Sequence, residues 1–201
     1  MYVQFGGILV KLAKVEHFRD EVIGLKPVYS EVGNITEILL KNGDAVQDRR
    51  VMRSVVKALA ASYAIDLIAQ RKMLKGKLGR KGLLPFYLGT ERVFIPLKMR
   101  SAVAENDAVY GYVDMAHVKD SHYGGDKGCL IKLSNGIEIN VLSNHSTVLE
   151  AQHTGMLVLG ILKPDGSGAN PLDQVREAAR ILGNTITSIA SQLDRIEQNL
   201  K

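Results

Sequence analysis

Six cations fall within the eleven residues 71–81 (RKMLKGKLGRK): Arg71, Lys72, Lys75, Lys77, Arg80 and Lys81. Such groups neutralise phosphate oxygens, Arg as a planar fork and Lys as a point charge, and release the counterions of a polyanion. Gly76 and Gly79 interrupt the helical pattern here. The segment is therefore expected to be a flexible basic loop that brings the backbone close to a ligand, as a phosphate contact or an inserting element. A mobile basic linker is the other reading of the same residues. The G-x-x-x-x-G-K-[ST] spacing of a phosphate-cradling loop is absent.

The cluster is part of a wider imbalance. Residues 49–100 hold thirteen Lys and Arg against two acids, Asp66 and Glu91, a net of +11, while the whole chain is +5 and the remainder therefore −6. A field concentrated in this way draws a polyanion to one face, and nucleic acid is the first partner to consider. Arg50 and Arg53 lie beside an apolar helical stripe, where a solvated face is the simpler reading. Catalytic chemistry is not apparent. His17, His117, His122, His145 and His153 are scattered, and no HExxH, CxxC pair or GxSxG is present. His117, His122 and Cys129 come close together around a glycine-rich loop, but a zinc site there lacks a fourth ligand. No cofactor and no enzymatic activity are expected.

Composition supports a chain with a core: 46% of its 201 residues are hydrophobic, with mean hydropathy +0.01. No run approaches the roughly 18 apolar residues of a membrane span. The apolar N-terminus lacks a basic region before it and a cleavage site after it, and Cys129 is the single cysteine. A cytoplasmic protein with no membrane partner is expected. The absence of Trp argues against aromatic stacking of single strands.

These residues need elements to position them. Residues 1–25 suggest a strand followed by a polar turn or helix, which Lys26-Pro27 breaks. Residues 34–41 (NITEILLK) predict a strand closed by the turn Asn42-Gly43-Asp44. One helix is expected over 47–73, with Met52, Val55, Val56, Leu59, Tyr63 and Leu67 as its buried stripe. Strands follow at 92–97, where Pro96 demands an edge or a strand end, and at 109–113. Residues 130–141 (LIKLSNGIEINV) predict a hairpin. A three-residue loop, Ser134-Asn135-Gly136, sets Lys132 against Glu138 and Ile131 against Ile139, with Gly136 in the left-handed position. A helix over 146–159 turns Val148, Ala151, Gly155 and Val158 inward. The fold class is α+β: an antiparallel sheet with two main packed helices over residues 1–162. A linker, 163–170, leads to a heptad-patterned helix over 171–201. Val175, Leu182, Ile189 and Ile196 alternate there with Ala179, Ile186, Leu193 and Leu200. The seam suits self-association as a dimer or tetramer, or a helix folded back on its own domain.

Five short motifs occur in a fixed order. They are Gly79-Arg80-Lys81-Gly82, the strand Phe94 to Leu97 (FIPL), Tyr110-Gly111-Tyr112 leading to His117-Val118-Lys119, the hairpin Ser134-Asn135-Gly136 with Glu138, and a helix containing Gln152. Together they resemble the competence transcription factor ComK family of Gram-positive bacteria, from about residue 32 to about residue 158. The resemblance implies a transcription activator that binds AT-rich promoter boxes, largely through the minor groove, as dimers that pair into tetramers. Arg80 and Lys81 match the family's Gly-Arg-Lys, and Lys119 its His-Val-Lys. Three features depart from the pattern. Tyr110 and Gly111 stand where the family carries a Trp, His153 follows the helix glutamine in place of an Arg, and the heptad helix replaces the tail segment read by a proteolytic adaptor. DNA binding is thus implied, and competence and regulated degradation are not. The expected function is a ComK-like regulator contacting double-stranded DNA as a homo-oligomer. Candidate contacts are Arg80, Lys81, Lys75, Lys77, Arg71, Lys72, Arg50, Arg53 and Lys119, with self-association through Val175, Leu182, Ile186, Ile189, Leu193 and Ile196. The alternative is a coiled-coil interaction module whose basic segment meets an acidic protein.

Overall fold

The computed structural model describes residues 2–5, 8–31, 33–105, 107–124 and 128–163, with side chains from residue 12 onward. The linker beyond Lys163 and the heptad positions Val175, Leu182, Ile186, Ile189, Leu193 and Ile196 lie outside the described residues.

Six antiparallel strands form the central sheet: β3 (Val22–Ser30), β4 (Gly33–Leu40), β5 (Ala45–Asp48), β6 (Phe86–Tyr87), β7 (Val93–Lys98) and β8 (Tyr110–Asp114), in the order β5-β4-β3-β8-β7-β6. Ahead of it stands a hairpin of β1 (Tyr2–Phe5) and β2 (Ile8–Lys11). A second antiparallel sheet, ordered β11-β10-β9, is made of β9 (Val118–Tyr123), β10 (Cys129–Leu133) and β11 (Glu138–Val141). The helices are α1 (Met52–Ala61), α2 (Leu67–Leu78) and α3 (His145–Leu162). The class is α+β, as the residue pattern predicts.

Alternation along the strands explains the layers, because neighbouring side chains leave a strand on opposite faces. Phe94 of β7 packs with Phe86, Tyr112, Leu25 and Ile38 beneath Met52, Val55 and Leu59 of α1. Its neighbours Val93, Ile95 and Leu97 point the other way, into a core closed by Val148 and Val158 of α3 and by Ile131, Leu133 and Ile139 of the second sheet. The sheet is therefore dry on both sides around β7.

The β10–β11 hairpin has the predicted register. Lys132 faces Glu138 and Ile131 faces Ile139, the Leu133 amide donates to the Ile137 carbonyl at 2.8 Å, and Gly136 has φ +88°. Helix α3 buries Val148, Gly155 and Val158. Asn144 caps it by accepting from the Thr147 amide. The turn at Asn42-Gly43-Asp44 follows β4 as expected, with Gly43 at φ +93°.

Several expectations need correction. The single helix over 47–73 is a strand and two helices. Gln47 and Asp48 end β5, and residues 62–66 break the helix at Ala64, whose φ is +56°. Asp66 then starts α2 by accepting from the Ile68 and Ala69 amides. The core thus has three helices among the described residues, not two. Gly76 does not end a helix: α2 runs to Leu78, and Gly79, at φ +62°, is the left-handed residue that stops it. Lys26-Pro27 does not break the chain. β3 passes through both, and Pro27 lies beyond the Gly24 and Leu25 positions that pair with β8, so its missing N–H has no partner to lose. Residues 1–25 hold the β1–β2 hairpin, a 3-10 turn at Val15–Phe18 and the start of β3, not one strand and a turn. Pro96, expected on an edge strand or at a strand end, lies inside β7 between β8 and β6. It faces Tyr112 of β8 and lies past the two residues of β6.

Two glycines test this packing. A Cβ at Gly111 would lie 2.2 Å from Met99 Sδ and 2.5 Å from the Leu25 carbonyl oxygen, where nothing can yield without moving β3. Gly160, within α3, has nothing within 4 Å. Gly111→Ala is expected to lower unfolding stability by about 2 kcal/mol or more through overpacking. Gly160→Ala should raise it by about 0.5–1 kcal/mol through helix propensity. Urea titration of both variants checks the opposite signs.

Candidate nucleic-acid interface

Helix α2 carries four of the candidate cations, Arg71, Lys72, Lys75 and Lys77, as a rigid element instead of a loop. Three contacts hold it. Leu74 is fully buried in the core beside Leu84 and Tyr87, with Leu78 packed against the same cluster. Asp66 caps its first turn. Gln70 bridges to the free edge of β6, its Nε2 donating to the Tyr87 carbonyl and its Oε1 accepting from the Tyr87 amide, both at 2.9 Å. That amide side chain occupies the place a further strand would take, so the edge is closed and the helix is moored to it.

The helical repeat then sorts the remaining side chains. Leu67, Gln70, Leu74 and Leu78 follow three- and four-residue steps toward the body of the protein. Ile68, Arg71, Lys72 and Lys75 follow the same steps along one solvent flank, and Lys77 leaves on the other. All five are exposed, and none makes an ion pair or side-chain hydrogen bond among the described residues. Lys81, just past Gly79, is exposed and equally free.

The other candidates are placed differently. Arg80 donates to Glu150 Oε1 and to Thr154 Oγ1 of α3, each at 2.9 Å, and so ties the end of α2 to α3. Arg53 is exposed on α1, and Lys119 is exposed on β9, on the opposite side of the central sheet. They do not share a face with each other. Arg92 and Arg100, which contribute to the charge of the segment, are also engaged. Arg92 donates to Asp114 Oδ2 at 3.0 Å, to the carbonyls of Arg19 and Val22, and to the Tyr63 hydroxyl. Burial, then the Asp20 hydrogen bond, pushes that hydroxyl up to about 12. Arg100 lies 3.8 Å over the Tyr29 ring and donates to Asn34 and to the Ala108 carbonyl. Nearby, Asp107 accepts from Tyr29, the Ala104 and Val103 amides and Asn34, which together hold its carboxyl below the usual range.

His117, His122 and Cys129 do not converge. His117 Nδ1 lies 2.8 Å from the Ser134 hydroxyl, His122 pairs with Asp120 at the surface, and Cys129 is buried. Among the described residues no three His, Cys, Asp or Glu side chains are grouped to hold a metal, and no helix is long and apolar enough to cross a membrane. Charge and motif alone do not single out Ile68 and Gln70. The 68, 71, 72, 75 spacing is present in the sequence, but it acquires meaning only once the helix extends past Gly76.

Arg50 is held most firmly of all the candidates. Its guanidinium spans Glu16, at 2.6 and 2.9 Å, and Asp48, at 2.5 and 2.9 Å, while Asp48 also accepts from the Val15 amide. The Arg50 hydrogen bonds lower the Glu16 carboxyl from 4.5 to about 2. A depressed carboxylate stabilises the fold above its unfolded value, and that contribution is lost as pH falls through its folded value. Glu16→Gln is therefore expected to be less stable than the parent at pH 7. The difference should close between pH 4.5 and about 2. Urea midpoints of both proteins across that range check it.

Comparison with family models, with curated proteins and with solved structures finds no match to this chain.

Proposed function

We propose that this chain is a double-stranded DNA-binding regulator of the ComK-like kind, without enzymatic activity, acting in the cytoplasm. It contacts AT-rich duplex through α2 and self-associates through residues 171–201. The observation that carries the reading is the row of unpaired cations on α2. Elsewhere in the basic segment Arg50, Arg80, Arg92 and Arg100 are drawn into hydrogen bonds and ion pairs. On α2 no carboxylate comes within pairing distance among the described residues, and the helix is anchored by Leu74 and Gln70. A rigid charged helix gives up little conformational freedom when it meets a duplex.

The motif order supports the same reading. The FIPL residues lie in β7, His117 ends a 3-10 turn from which Val118 and Lys119 open β9, Ser134-Asn135-Gly136 turns the β10–β11 hairpin, and Gln152 lies in α3. The contact element moves from the Arg80-Lys81 pair to α2 together with Lys81. Arg80 serves to set the angle of that helix against α3. Cations presented to a narrow A-tract groove meet its enhanced negative potential, which gives a preference for AT-rich sequence without hydrogen bonds to bases.

Replacing Arg71, Lys72 and Lys75 together by Ala is expected to weaken binding to an AT-rich duplex by about tenfold or more. It should flatten the plot of log affinity against log salt by about 0.9 for each phosphate that is no longer neutralised. The melting temperature should stay near that of the parent, because all three side chains are exposed. Fluorescence anisotropy at two salt concentrations, on AT-rich and GC-rich duplexes, reads these effects. Unchanged affinity and slope would remove α2 from the interface. Binding to neither duplex at physiological salt would remove the function, and the acidic-protein alternative would take its place.

A further inference from the structure

A large aliphatic side chain stands exposed among the α2 cations. Ile68 is 81% exposed, while the core-facing Leu74 of the same helix is 0% exposed. Arg71, Lys72 and Lys75 follow Ile68 at three, four and seven residues, so they flank it on one side of the helix. Leu74 is the one fully buried residue of α2. A single exposed aliphatic residue is ordinary on a protein surface, and Val103 is 82% exposed as well; what sets Ile68 apart is its place among cations, and its side chain gains free energy on entering an apolar environment. The three cations exclude most apolar protein partners and match a duplex. There the apolar environment lies between the bases and the surrounding charge is phosphate.

We propose that Ile68 is a wedge. On the AT-rich duplex the Arg71, Lys72 and Lys75 side chains take phosphates, and the Ile68 side chain enters the groove at a base step and partly unstacks it. The proposal rests on the DNA-binding reading above and adds a specificity-determining residue to it. Pyrimidine–purine steps unstack most easily, so the wedge would favour TA steps at a place where no hydrogen bond reads a base. Asp66 and Gln70 matter here as positioning residues. The cap begins the turn that carries Ile68, and the β6 bridge sets that turn at a fixed height over the sheet edge.

The test uses the full-length chain and an AT-rich duplex with 2-aminopurine beside a central TA step. Binding of the parent is expected to raise the 2-aminopurine fluorescence, because the probe brightens when it unstacks. Ile68→Ala should bind about tenfold more weakly, give no rise at saturation and keep the parent's salt slope. Ile68→Leu should retain most of the rise. Substitution of Lys72 and Lys75 by Ala should do the reverse, with a flatter salt slope and the fluorescence rise intact once saturated. A rise that persists in Ile68→Ala would overturn the wedge, as would a parent that binds without any rise. So would an Ile68→Ala variant that changes only the oligomeric state. In those three cases duplex binding itself would stand. A parent that binds no duplex would instead overturn the functional reading on which the wedge rests.

Discussion

The structure depends on burying both faces of one six-stranded sheet. Strand β7 shows the constraint most clearly. Phe94 stacks on Phe86 with ring centroids 5.2 Å apart, while Val93, Ile95 and Leu97 fill the opposite core. A strand dry on both sides must be covered twice. α1 covers one face, and α3 with the three-stranded sheet covers the other. The covering elements sit close enough that glycine is required at their contacts: a Cβ at Gly155 would lie 2.8 Å from Ile95 and from Met115. Such burial supplies most of the favourable folding free energy. It also makes an unpartnered polar group at the rim of the sheet costly.

That requirement explains how the cations divide. The rim carries two buried aspartates, Asp48 and Asp114, whose side chains are 3% and 1% exposed. An unpaired buried carboxylate is costly, so each has recruited an arginine. Arg50 serves Asp48 and Arg92 serves Asp114. The planar guanidinium suits the task because it can satisfy several acceptors at once, as Arg92 does with a carboxylate, two carbonyls and a hydroxyl. The lysines of the segment have no such task. Lys72, Lys75, Lys77 and Lys81 stay in water, with Arg71. The charge that matters for a partner is therefore smaller than the net charge of the segment suggests; its densest run lies on one rigid helix and its immediate end, with Arg49, Arg53 and Lys57 exposed elsewhere.

Rigidity changes what that charge can do. A loop would have to order itself on a ligand, whereas α2 is already ordered by its Asp66 cap, its Leu74 anchor and the Gln70 bridge. The same bridge covers the open edge of β6, which would otherwise offer unpaired backbone groups to another chain. One side chain thus protects the sheet and positions the face that would meet a polyanion. Arg80, a candidate contact by sequence, extends that positioning by joining the end of α2 to Glu150 and Thr154.

Short-range patterns were legible in the sequence because they involve groups that are already neighbours along the chain. The hairpin register follows from a three-residue turn and the alternation beside it. The inner face of α3 follows from the helical repeat, and the end of β4 from Asn42-Gly43. The α+β class follows from the sum of such signals. What decided the candidate site was not local. Arg50 meets Glu16 across 34 residues and Arg80 meets Thr154 across 74, so composition could not separate engaged cations from free ones. Nor could propensity carry α2 past Gly76. That extension depends on Leu74 reaching a core assembled from strands on both sides of it in sequence. Local hydrogen bonding determined the elements; long-range burial decided which charges remain in water, and so which of them are available to a partner.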